Sequence, residues 1–167
     1  EELIPLLRRL WRLHEEQVKH EGRFYSCDIT PTADIQPPLR PEVPIFTAGV
    51  NARMIEVAGR VSDGLICHPT LTDRYLEEVA RPAIEKGAAR TGRDPEQVQL
   101  KGVIITSIHD DPAVARREAA AQIAFYVAPK AYGPVMEASG FGEEAAAIQA
   151  AFRAKDHDAM VGAGSDR

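Results

Sequence analysis

The sequence is poor in cysteine and aromatic residues, has no excess of positive charge and contains no long apolar run. Two cysteines in 167 residues, Cys27 and Cys67, are too few for a disulfide scaffold and lack the spacing of metal ligands. A formal net charge of -5 argues against a surface for nucleic acid or an anionic membrane. No apolar stretch approaches the roughly 20 residues that span a bilayer. We therefore expect a cytoplasmic protein with neither nucleic acid nor membrane as a partner.

Strand-like and helix-like patterns alternate along the chain. With 44% hydrophobic and 27% charged residues, the composition is typical of one globular domain. The predicted strands are residues 43–48, 64–67 and 98–108, and the predicted helices lie near residues 3–18, 51–61, 72–87, 111–127 and 143–154. Apolar strands that alternate with helices indicate an α/β fold with a parallel sheet. Because three strands leave both sheet edges open, we expect the chain to be part of a larger α/β barrel or open sheet.

Several expectations concern local structure. One predicted helix has an apolar stripe made of Leu3, Leu7, Leu10, Trp11 and Val18. Frequent prolines predict an extended connection over residues 22–44. The β-branched residues of 98–108 predict the strongest strand, and Pro82 predicts a kink in its helix. The last helix is expected to bury Phe152.

The first strand-to-helix turn is a candidate ligand site. It comprises Thr47, Ala48, Gly49, Val50, Asn51 and Ala52. Free amides and the helix dipole favour an anion at such a turn, Gly49 lets a ligand approach the backbone, and Thr47 and Asn51 can add side-chain hydrogen bonds. Alternatively, Gly49 only makes the turn and Asn51 only caps the helix. The turn matches neither a Walker loop nor a dinucleotide fingerprint.

A second candidate site follows the next strand, where the chain reads His68, Pro69 and Thr70. Side chains at the carboxyl ends of parallel strands face the ligand crevice, and a histidine there can donate a hydrogen bond or move a proton. Alternatively, His68 caps the strand or binds a neighbouring loop. Spacing assigns no partner acid or nucleophile, so the catalytic residues are left unassigned. No histidine or cysteine spacing predicts a metal site.

The segment from Pro129 to Gly142 combines glycine, proline and aromatic residues. Tyr126, Tyr132 and Phe141 lie in or beside it. Such a composition is found in mobile lids that close over a substrate, and also in ordinary connections between helices. Both interpretations are open from the sequence.

Five ordered motifs resemble the bacterial luciferase-like monooxygenase family. They are Leu7–Trp11, Gly22–Tyr25, Pro37–Pro41, Val43–Gly49 and Ala58–Gly64, and the later run Val103–Ser107 followed by Asp110–Pro112 continues the match. The chain is most similar to the branch that uses the deazaflavin coenzyme F420, the methylenetetrahydromethanopterin-reductase-like proteins. The resemblance extends over essentially the whole sequence.

The resemblance implies a fold and a site. It implies a partial TIM barrel, with residues 1–167 forming one partial domain that contains the fifth to seventh strands and no internal boundary. The family rests its cofactor phosphate on the turn that is here Ala48–Ala52, preceded by Thr47. The end of its sixth strand, here His68–Thr70, lies near the cofactor ring and the substrate pocket. Family residues from the first four strands have no counterpart here, so we expect the isolated piece to be inactive.

The resemblance also implies a function for the parent protein. It implies an oxidoreductase that transfers a hydride between coenzyme F420 and a small organic substrate, and the protein is expected to be a homodimer. One alternative is an FMN-dependent monooxygenase of the same fold. Another is a non-catalytic, shortened module that binds flavin or a partner chain. Gly49–Val50–Asn51 departs from the Gly-Gly-Pro-like turn of many relatives, so the turn does not distinguish FMN from F420.

Overall fold

The computed structural model describes residues 1–40 and 42–164. Its helices are α1 (Leu3–Trp11), α2 (Ala52–Val61), α3 (Asp73–Tyr75), α4 (Arg81–Ala89), α5 (Pro112–Val127), α6 (Gly133–Ala138), α7 (Gly142–Ala154) and α8 (His157–Gly162). Its strands are β1 (Val18–Glu21), β2 (Ser26–Ile29), β3 (Phe46–Gly49), β4 (Gly64–Cys67) and β5 (Gln99–Lys101). A π turn over Leu76–Ala80 joins α3 to α4, and 3-10 turns occupy Pro95–Gln97 and Lys130–Tyr132. In this part of the chain no helix is long and apolar enough to cross a bilayer.

The central feature is a parallel sheet with the strand order β3-β4-β5. Gly49 pairs with Cys67, and Leu65 pairs with Leu100. The α/β prediction with a parallel sheet is therefore confirmed. Side chains of a strand point alternately to opposite faces, and in β4 Leu65 is fully buried whereas Ile66 is 40% exposed. One face of the sheet is thus covered by helices, and the other is open.

Two apolar clusters support this arrangement. The first lies between the sheet and the helices α2 and α4, and it includes Ile55, Ala58, Leu65, Ile84 and Val98. The second holds the helices α5 to α8 together and includes Ala124, Val127, Met136, Ile148 and Met160. Burial of these side chains removes apolar surface from water, which is the main force that holds the helices in place.

A polar cluster fixes the amino-terminal end of β4. The Asp63 carboxylate accepts hydrogen bonds from the Arg8 guanidinium at 2.8 Å and from the Ile45 amide at 2.7 Å. Arg93 donates to the carbonyl oxygens of Gly59 at 3.0 Å and Ser62 at 2.8 Å. These carbonyls belong to the end of α2, so Arg93 satisfies acceptors that the helix itself leaves free.

The expectations for the first 44 residues were wrong in two respects. Helix α1 ends at Trp11 and buries Ile4 and Leu6, whereas Leu3 is exposed. Val18 does not extend the helical stripe but begins β1, which pairs in antiparallel fashion with β2. The connection predicted to be mostly extended has no helix within residues 22–40 and 42–44, and part of it is the strand β2. The hairpin forms because the backbone groups of β1 hydrogen-bond to those of β2, and the spacing of apolar residues in the sequence does not predict such pairing.

The predicted strongest strand was also too long. Only Gln99–Lys101 is paired, and residues 102–109 form no regular structure. Ile104 and Ile108 are almost fully exposed. The physical reason is that β4 ends at Cys67, so residues beyond Lys101 have no strand beside them to receive their backbone hydrogen bonds.

Two further helical details differ from expectation or refine it. Pro82 follows a π turn, in which the Arg81 amide donates to the Leu76 carbonyl, so the helix has an inserted residue just before the position of the predicted kink. Phe152 is 56% exposed, which contradicts its predicted burial.

Residues 129–142 form a 3-10 turn and α6 with Val135 and Met136 buried, an arrangement that favours a packed connection between helices over a lid.

Candidate functional site: the carboxyl edge of β3 and β4

Both candidate segments lie at the same edge of the sheet. Because β3 and β4 are parallel and Gly49 pairs with Cys67, the turn after β3 and the loop after β4 begin side by side. In parallel α/β folds this carboxyl edge is where ligands bind. The structure thus brings the two predicted groups of residues, 47–52 and 68–70, into one region.

The turn after β3 leads directly into the amino terminus of α2. The Asn51 side chain accepts a hydrogen bond from the Met54 amide at 3.0 Å, which confirms it as the N-cap of α2. The amides of Ala52 and Arg53 donate to no acceptor within residues 1–40 and 42–164. Arg53, the second residue of α2, is exposed. Two free amides, a helix dipole and a cation match the requirements of a phosphate.

Other residues of the turn serve the fold. The Thr47 hydroxyl lies 2.9 Å from the Ser62 hydroxyl, and Ser62 is fully buried. The Thr47 side chain was expected to reach a ligand, but it is directed at Ser62 instead. A Cβ on Gly49 would lie 3.1 Å from the Met54 Cβ, so glycine permits close packing of β3 against α2. The Val50 carbonyl accepts a hydrogen bond from the Tyr75 hydroxyl at 2.9 Å. Ala48 is exposed on the open face of the sheet.

His68, in the loop after β4, has a polar contact at each of its ring nitrogens. Nδ1 lies 2.8 Å from the Thr70 hydroxyl oxygen and 3.4 Å from the Thr70 amide nitrogen. Nε2 lies 3.2 Å from the hydroxyl oxygen of Tyr132. Thr70 is buried and His68 is half-buried, and Pro69 lies between them. Burial lowers the pKa of His68, so its imidazole is neutral near pH 7.

Two tyrosines pack on the imidazole ring. Tyr126 meets it edge-on, with ring centroids 4.8 Å apart, and the Tyr132 ring lies at 4.9 Å. Neither tyrosine was predicted to contact His68, because they are far from it in sequence. The only sequence signal was the aromatic content around residues 129–142, which was interpreted as a lid or a connection.

Two neighbouring features complete the region. Burial raises the pKa of the Cys67 thiol and thereby disfavours the thiolate, which is the reactive form of cysteine. Behind the loop lies a cavity of about 450 Å³ whose walls include Thr70, Ile123, Met136 and Phe141, with Arg116 at its rim. Among the described residues no group of histidine, cysteine or acidic side chains could hold a metal ion.

The chain is similar to proteins of known family. The model of the luciferase-like monooxygenase family matches residues 1–167. An uncharacterized protein of Mycobacterium tuberculosis is 36% identical over 148 residues, which are 85% of this chain and 44% of that protein. The F420-dependent glucose-6-phosphate dehydrogenase of Segniliparus rotundus is 31% identical over 114 residues, which are 68% of this chain and 32% of that enzyme.

A solved structure gives the same result for the fold. The coenzyme F420-dependent tetrahydromethanopterin reductase of Methanopyrus kandleri superposes with a TM-score of 0.69 and 24% identity, over 96% of this chain and 46% of that one. The chain thus spans less than half the length of these relatives. Since the family model covers every residue, the resemblance found in the sequence is confirmed: the chain belongs to the luciferase-like monooxygenase family.

Proposed function

We propose that the protein containing this chain is an F420-dependent oxidoreductase that moves a hydride between the deazaflavin and a small organic substrate. The observation that carries the proposal is that two features lie at the same edge of the sheet: the free amides at the start of α2 and the half-buried imidazole of His68. Two of the relatives described above are F420-dependent by name, and they act on chemically different substrates. The substrate class is therefore left at a small organic molecule.

We further propose that the chain supplies the fifth to seventh strands of a (β/α)8 barrel. The sheet has a helix-covered face and an open face on which Ala48 and Ile66 are exposed. In a closed barrel the open face would point to the interior, where side chains from the other strands would cover it. The exposed apolar residues of 103–108 fit the same arrangement, because a further strand would pair with them.

The proposed roles follow from the geometry of the edge. The backbone of Gly49–Ala52 with the free amides of α2 would hold the cofactor phosphate, and Arg53 would add charge. The segment His68–Thr70 would border the ring of the cofactor and the substrate. Hydride chemistry is supplied by the cofactor when it is bound, and the residues of this chain bind it and orient it.

Titration of the full-length protein with F420 and with FMN tests the proposal, using the change in absorbance or fluorescence of each. Tight binding of F420 supports it, and the absence of binding by both cofactors refutes it. Oxygen consumption with reduced FMN would instead establish the alternative monooxygenase. Cofactor binding without turnover of any substrate would establish the non-catalytic module. Light scattering of the same sample tests the expected homodimer.

The substitution Asn51→Asp tests the phosphate position without removing the helix cap. Aspartate caps a helix as well as asparagine does, so folding is expected to be retained, but its negative charge lies beside the free amides of α2. We expect F420 affinity to fall at least tenfold. Asn51→Ser is the matched control, because serine caps the helix and is neutral. Equal affinities of the two variants would contradict a phosphate at this turn.

A further inference from the structure

The contact between His68 and Tyr132 joins two distant parts of the chain. The Tyr132 hydroxyl lies 3.2 Å from His68 Nε2 across 64 positions of sequence. It is carried on the 3-10 turn Lys130–Tyr132, which packs at the start of α6. Within the described residues the Tyr132 hydroxyl has no other hydrogen-bond partner. The question is which atom of the pair carries the hydrogen between them.

The surroundings of Nδ1 determine the tautomer of His68. The Thr70 amide points at Nδ1, and a backbone amide can only donate. The Thr70 hydroxyl, at 2.8 Å, can donate to the same nitrogen. Nδ1 therefore carries the lone pair. Because burial lowers the pKa of His68 and keeps the ring neutral, the single ring proton is on Nε2.

The tautomer fixes the direction of the Tyr132 hydroxyl. With the proton on Nε2, His68 donates and the Tyr132 oxygen accepts. The hydroxyl hydrogen of Tyr132 is then directed away from His68 and is available to another acceptor. Tyr126 meets the imidazole edge-on and restricts rotation of the ring, so the donated hydrogen bond keeps its direction. The site thus presents an oriented O–H donor next to the carboxyl edge of β4.

We propose that Tyr132 contacts the bound molecule and that its hydroxyl donates a hydrogen bond to an acceptor oxygen there, with His68 as the positioning residue. This inference rests on the proposed function for the identity of the molecule. Both the deazaflavin and a small oxygenated substrate offer acceptor oxygens, so the shared chemistry is a carbonyl, hydroxyl or phosphate oxygen. The role is electrostatic: the Tyr132 hydroxyl orients and stabilises the acceptor oxygen of the bound molecule, and no proton is transferred to it.

Substitution of the tyrosine hydroxyl in the full-length protein tests the first half of the inference. Tyr132→Phe removes one oxygen atom and keeps the ring that packs on His68. We expect either the affinity for F420 or the catalytic efficiency to fall about two- to tenfold, which corresponds to the loss of one neutral hydrogen bond. A weaker affinity for F420 alone places the contact on the cofactor, whereas an unchanged affinity with an altered KM or kcat places it on the substrate. Tyr25→Phe, in the exposed hairpin, is the control and should change neither.

Substitution of His68 tests the positioning role. His68→Ala should cause the same loss as Tyr132→Phe, and the double variant should lose no more than either single one. His68→Gln offers an amide hydrogen near the position of Nε2 and should recover part of the affinity. If His68 were only structural, its substitution would lower thermal stability, His68→Gln would recover no affinity, and the losses of affinity in the double variant would simply add.

The outcomes separate the inference from the function on which it rests. If the wild-type protein binds neither F420 nor FMN, the proposed function fails and the inference with it. If the wild-type protein binds and turns over, and Tyr132→Phe matches it in affinity, KM and kcat, the inference alone is overturned. Fully additive losses in the double variant would overturn the role of His68.

Discussion

Replacing Gly87 with alanine is expected to destabilise the protein, although alanine is the better helix former. Helices α2 and α4 cross so closely that a Cβ on Gly87 would overlap the carbonyl oxygen of Glu56 and lie 3.0 Å from the amide nitrogen of Arg60. Non-bonded carbon atoms prefer separations of about 3.5 Å or more. The obstructing atoms are backbone atoms of a helix, so no side chain can turn aside to make room.

The magnitude follows from two opposing terms. Exchange of glycine for alanine inside a helix contributes about 1 kcal/mol in favour of the folded state. Overpacking costs about 1 to 3 kcal/mol, and a clash with rigid backbone belongs at the upper end of that range. We therefore expect Gly87→Ala to lower the free energy of unfolding by about 2 kcal/mol. Since α2 carries the proposed phosphate site at its first turn, F420 affinity should fall as well.

Urea unfolding of the full-length protein, followed by circular dichroism, measures the effect. Gly162→Ala in α8 is the matched control, because nothing lies within 4 Å of a Cβ at Gly162. That variant should be as stable as the wild type or slightly more stable. If Gly87→Ala unfolds at the same urea concentration as Gly162→Ala, the close helix crossing is not as described and the reasoning is refuted.

Two other predictions concern the polar cluster at the start of β4. Arg93→Ala leaves the carbonyls of Gly59 and Ser62 without their donors and should lower the free energy of unfolding by about 1 to 3 kcal/mol; an unchanged urea midpoint would contradict this. Burial raises the pKa of Asp63, but the Ile45 amide and Arg8 together outweigh it, so the pKa lies below its ordinary value of 3.8. A group whose pKa is lower in the folded state stabilises the fold at pH values above its pKa in the unfolded chain. The stability difference between wild type and Asp63→Asn should therefore be full above about pH 5 and disappear as the pH falls through the range below 3.8. A difference that does not shrink as the pH falls below 3.8 would exclude this linkage.

Local signals in the sequence predicted several features correctly. The possible cap Asn51 accepts an amide hydrogen bond at the start of α2. The parallel pairing of the three strands is also present. Each of these depends on residues within one or two turns of the chain, or on the apolar character of short runs, and both properties can be read from the sequence.

Predictions that depended on pairing or burial at a distance were less successful. The run 98–108 has strand propensity throughout, yet only three residues have a neighbouring strand. Val18 fits a helical stripe by spacing, but it pairs with Ile29 in a hairpin. Propensity describes what a segment can adopt, whereas the presence of a partner for its backbone groups decides what it does adopt.

The sequence by itself therefore determined the family, the alternation of strands and helices, and the position of the turn and of His68 at strand ends. Only the tertiary structure decided that the Thr47 hydroxyl faces Ser62 and that Tyr126 and Tyr132 surround the imidazole. The physical reason is distance along the chain. A cap or a strand end is set by neighbours in sequence, but Tyr132, whose hydroxyl contacts His68 Nε2, lies 64 positions away, and packing alone brings the two side chains together.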